Sequence, residues 1–142
     1  MNAARRTLQI IRFFMVGSIV MYWFLVWRLP SSATPSAIAF KVITALAVSL
    51  VAIIFVIRRT RVFPAAVALT ANPQDAKALA RWFQGHVLTY VLSEAIVYGV
   101  VLHFFGFPSL QIAPFFIAGL ALFLYLGPVL RLDREFPPGA AP

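Results

Sequence analysis

The sequence predicts an all-α membrane protein with four transmembrane helices in two antiparallel hairpins. Three observations carry this. Of 142 residues, 62% are hydrophobic and the mean hydropathy is +0.91, against about 45–50% apolar residues in a soluble domain. Apolar runs of about 20 residues, enough to cross the hydrocarbon as a helix, occur at 10–27, 37–57, 83–105 and 110–130. The cations behind the net charge of +8 sit at the ends of these runs. That is the membrane pattern, not a basic patch interleaved with aromatics, so no nucleic-acid partner is expected. With no cysteine, disulfides and thiolate metal sites are excluded.

The first span follows Arg5 and Arg6. An apolar core of about 18 residues exceeds a signal-peptide core of about 7–15, so it reads as an anchor that is kept. Arg12 lies one turn inside it, and Lys41 one turn inside the second span, both close enough to the ends to snorkel. The connection 28–36 holds two prolines and three serines and reads as irregular. On the second span Ala45, Ser49 and Ala52 form a small-residue face, and on the third Ala95 and Gly99 do the same, allowing close helix approach.

Residues 58–82 read as a basic loop. Within it Asn72, Pro73 and Asp75 form a helix-start signal, so a helix is expected from near Pro73 into the third span. Gly85 is the expected point of bending. The turn 106–109 permits only an antiparallel hairpin. Ser109 is placed to cap the fourth span, Pro114 falls near its first turn, Pro128 should end or bend it, and the tail 137–142 reads as disordered.

Orientation follows from the Lys/Arg distribution. Arg5, Arg6, Arg12, Arg58, Arg59, Arg61, Lys77, Arg81, Arg131 and Arg134 fall on one side, ten in all, against Arg28 and Lys41 on the other. The positive-inside rule then puts both termini and the central loop in the cytoplasm of a cell (inner) membrane. Tyr22, Trp23 and Trp27 at the outer end and Trp82 at the inner end suit the interfaces.

Glu94 is the only Asp, Glu, Lys or Arg between Arg81 and Arg131, near the middle of the third span. An ionisable group at that depth is costly and is retained where it has a partner or a task. Tyr90 and Tyr98 lie one turn to either side on the same face, placing a phenol within reach of the carboxyl group. Thr44 and Ser49 of the second span are further candidate partners. His86 and His103 lie off this stripe, so a His–Glu metal site within the helix is geometrically excluded. No metal and no cofactor are expected.

Residues Ala71-Asn72-Pro73-Gln74-Asp75, followed by Leu92-Ser93-Glu94-Ala95-Ile96-Val97-Tyr98-Gly99-Val100-Val101, resemble the polar loop and carboxylate-bearing helix of rotary ATPase proteolipid (c) subunits. The resemblance covers about residues 71–105 and implies that Glu94 takes up and releases a proton or sodium ion. The chain departs from that family in having no glycine in the second span, Gln74 after Pro73, and a fourth span.

Two functions follow as expectations. The first is a small non-catalytic integral membrane subunit or accessory protein of a larger inner-membrane complex. The alternative is a proton- or cation-translocating, or proton-coupled, transport protein using Glu94 with Tyr90 and Tyr98. No enzyme is expected, because no nucleophile–base pair or Gly-rich phosphate loop is present. Expected partners are the bilayer, other membrane subunits or a second copy, and anionic lipid headgroups met by Arg58, Arg59, Arg61, Lys77 and Arg81.

Overall fold

The computed structural model describes residues 2–30 and 34–126. Arg131, Arg134, Pro128 and the tail 137–142 therefore lie outside the described residues, as does the end of the run 110–130. What is described is all-α: α1 (Asn2–Arg28), α2 (Ala37–Ile57), α3 (Phe63–Ala71), α4 (Ala76–Val97) and α5 (Ser109–Tyr125). A π-helical turn, Arg58–Val62, joins α2 to α3 without a break, and α4 tightens into a 3₁₀ run, Tyr98–Phe105. Three helices are long and apolar enough to cross a membrane: Arg6–Arg28, Ala37–Ala71 and Ala76–Phe105. The described part of the fourth, α5, is apolar but only 17 residues long.

The stretch 58–82 differs most from expectation. It is a helical hairpin rather than an irregular loop, because α2 continues through the π turn to Ala71. Asn72 does not start a helix. It ends α3 in an extended conformation (φ −141°) and its Oδ1 accepts from Gln74 N at 3.1 Å. Asp75 is the N-cap of α4, its carboxylate accepting from Lys77 N at 2.9 Å and Ala78 N at 3.0 Å. A carboxylate that accepts two first-turn amides outcompetes the amide side chain three residues earlier.

Helix α4 runs through Gly85 as unbroken α-helix. Gly85 is a point of close approach: a Cβ there would lie 2.6 Å from Val62 Cγ2. In the π turn Arg58 and Val62, four residues apart and so on one face, are both buried. Gly106 (φ 83°) ends the 3₁₀ run in the left-handed region that glycine adopts without strain. Pro108, not Ser109, is the cap residue of α5, and no side chain caps that end. Pro114 lies inside α5.

Helices α4 and α5 pack antiparallel and close. Tyr90 stacks on Phe123 (centroids 4.8 Å), Gly99 faces Phe115, and Gly119 faces Ser93 and Val97. Helix α1 runs antiparallel to α5, with Trp23 at 4.7 Å from Phe116 at one end and Arg12 at Leu124 near the other. Among the described residues nothing packs on the small-residue face expected on α2: Ala45, Ser49 and Ala52 are exposed, and Ile54, with Ala47, Leu50 and Val51, turns inward instead. Large apolar side chains, among them Phe13, Phe14, Val42 and Val48, lie exposed on the outside of α1 and α2, the mark of a surface that meets a membrane or another protein.

Candidate functional site: a polar seam between α1 and α4

Glu94 meets α1, not α2. Ser18 Oγ donates to Glu94 Oε1 at 2.7 Å, and also lies 2.8 Å from Met15 O of its own helix. One turn on, the hydroxyls of Tyr22 and Tyr98 are 3.2 Å apart, with their rings edge to face at 5.2 Å. Further along, His103 Nε2 is 2.9 Å from Leu29 O. The sequence separation is 76 in the first two contacts and 74 in the third, so α1 and α4 run parallel in constant register. Positions four apart share a helical face; Ser18 with Tyr22 and Glu94 with Tyr98 are thus matched stripes.

The other candidates fall elsewhere. Tyr98 serves Tyr22 rather than Glu94. Tyr90 is fully buried against Phe123, and its hydroxyl has no hydrogen-bond partner among the described residues. Ser49 donates to Ala45 O of its own helix, and Thr44 Oγ1 is buried without a partner. His86 is buried edge-on to Trp82 at 4.6 Å, its Nδ1 without a partner. Among the described residues no group of three or more His, Cys, Asp and Glu side chains is placed to hold a metal ion.

Ser18 and Tyr22 were missed as site residues. The signal was present: a hydroxyl pair at the same four-residue spacing as Glu94 and Tyr98 in the span of like direction. Replacing Ser18 by Ala is expected to cost about 0.6–1.7 kcal/mol, the range for interhelical hydrogen bonds in membranes. A double-mutant cycle with Glu94→Ala, read by thermal unfolding in mild detergent, should return most of that as coupling. Additive losses would show that the contact does not hold the helices together.

The basic residues separate into distinct environments. Arg58 is only 4% exposed, and its Nη1 donates to Leu126 O at 3.3 Å. Arg12 Nη2 donates to Leu124 O at 3.4 Å, so it does more than snorkel. Two cations, from α1 and from the π turn after α2, thus meet the carbonyls of Leu124 and Leu126 at the end of α5, where a helix carries partial negative charge. Arg59 points outward. Arg61, Lys77 and Arg81 line one cavity of about 470 Å³ between α3 and the start of α4. No family model, no curated protein and no solved structure matches this chain.

Proposed function

We propose that this chain is a small non-catalytic integral membrane protein, an accessory subunit of a larger inner-membrane complex, with Glu94 acting as a hydrogen-bonded pin between α1 and α4. In this proposal four spans cross the membrane with both termini cytoplasmic, α5 being the fourth. The observation that carries it is the Ser18–Glu94 contact, which engages the single acidic residue of the spans in helix packing. The Ser18 hydroxyl has one proton and two acceptors within reach. The outward Ala45, Ser49 and Ala52 face leaves α2 open to close approach by a helix of another subunit.

A second role, proton or cation exchange at Glu94 as the proteolipid resemblance implies, is favoured by one observation. Glu94 is half-buried and only its Oε1 makes a hydrogen bond among the described residues. The two roles separate on Glu94→Gln, which keeps a donor and an acceptor at the same place. A packing role predicts that Glu94→Gln assembles into the native complex in normal yield with its function retained, while Glu94→Ala loses yield. Normal assembly with complete loss of function would instead favour exchange. The subunit role is tested by native mass spectrometry after mild-detergent purification. A mass above 15.7 kDa from co-purifying chains is expected, and a lone monomer would sink it.

A further inference from the structure

We infer that the cavity between α3 and the first turns of α4 is a binding site for a phosphate-bearing anion, of the kind carried by an anionic phospholipid headgroup or by free phosphate. Three cations converge on it from two elements: Arg61 from the π turn, and Lys77 and Arg81 from consecutive turns of α4. Gln84 and the small side chains of Ala65, Ala68 and Ala78 are also in its lining. Its volume of about 470 Å³ falls within the usual range for small-ligand sites, about 300–1,000 Å³.

The charge is unbalanced. The one acid in the wall, Asp75, already directs its carboxylate at the amides of Lys77 and Ala78. Unlike Arg58, the three cations make no side-chain hydrogen bond or ion pair among the described residues. Like charges held around one concavity focus a positive potential in it, and guanidinium and ammonium donors match phosphate oxygens.

Depth favours the lipid as the source, which rests on the membrane placement proposed above. The 21 residues of α2 span about 31 Å at 1.5 Å per residue, roughly the hydrocarbon thickness. The π turn and α3 then stand beyond that limit, which puts the cavity at headgroup level.

The test uses the full chain in mild detergent, with native mass spectrometry of retained phosphatidylglycerol against phosphatidylcholine and competition by inorganic phosphate. Phosphatidylglycerol should be retained preferentially. Arg61→Gln, Lys77→Gln and Arg81→Gln should each weaken retention about fivefold, the effect of one cation near an anionic surface. Arg59→Gln removes the same charge from outside the cavity and should change nothing. Displacement by inorganic phosphate would support the site with a soluble anion as its source, and resistance to it would support the lipid. Equal retention of the two lipids, or an Arg59→Gln loss equal to the others, overturns the inference. Membrane placement is tested separately by flotation with neutral phosphatidylcholine vesicles. All three cavity side chains are exposed, so unchanged melting temperatures are expected and a folding failure would be visible as such.

Discussion

Gly119→Ala is expected to destabilise the protein by about 1–3 kcal/mol, the cost of overpacking a close-packed contact. A Cβ at position 119 would lie 2.4 Å from Val97 Cγ2, 2.9 Å from Ser93 O and 3.3 Å from Val97 N. Val97 can turn its methyl group aside, but the two backbone atoms belong to α4 and cannot yield alone. Helices α4 and α5 must therefore separate, and in lipid no hydrophobic drive draws them back. Gly17→Ala is the matched control. Nothing lies within 4 Å of a Cβ there, so alanine should stabilise α1 slightly through its better helix propensity. Thermal unfolding of both variants in one detergent checks this. A Gly119→Ala midpoint equal to wild type would mean that α4 and α5 are not held this close.

Arg58→Ala should be the most damaging change among the basic residues. Burial leaves Arg58 4% exposed, its guanidinium bonds Leu126 O, and it lies over the Phe63 ring at 5.7 Å. Truncation strands a buried acceptor, at about 1–3 kcal/mol, and leaves a cavity of several methylenes, which adds a further loss. Arg58→Met restores the volume without the donor and should recover only the packing part. Arg59→Ala, one residue on and exposed, should stay within about 0.5 kcal/mol of wild type. The three variants ranked by unfolding midpoint settle it; equal effects at Arg58 and Arg59 would deny Arg58 a structural place.

What was legible in the sequence, and what was not, divides by the range of the interaction. The bounds of α2 follow from its apolar run and from Ser36, whose Oγ accepts from Ala39 N at 3.3 Å. Glu94 stood out because no other Asp, Glu, Lys or Arg shares its run. Its partner did not, because periodicity says which residues share a face and not what that face meets. Ser18 is 76 residues away, and the contact depends on how four helices are arranged. Asn72 and Asp75 are both capping types. Choosing between them needed the fact that α2 continues into α3, which turns Asn72 into an ending. The cations looked equivalent by composition, yet the one face of the π turn that meets the bundle buries Arg58 and leaves Arg59 and Arg61 outside. The small face of α2 shows the same limit, since alanine spacing permits packing without saying that this chain uses it.

The sequence distance across the seam between α1 and α4 also bears on the order of assembly. The contacts of α5 with α4 join residues 16 to 33 apart, as in Gly99 with Phe115 and Tyr90 with Phe123, and close as soon as that hairpin is made. The seam joins residues 76 apart, so α1 emerges and waits while the π turn, α3 and α4 are synthesised. Distant pairings are reached late because the intervening chain must first be ordered. Ser18 and Tyr22 are thus a latch set early in the chain and closed late, and a damaged latch should slow that closure while leaving the α4–α5 hairpin intact.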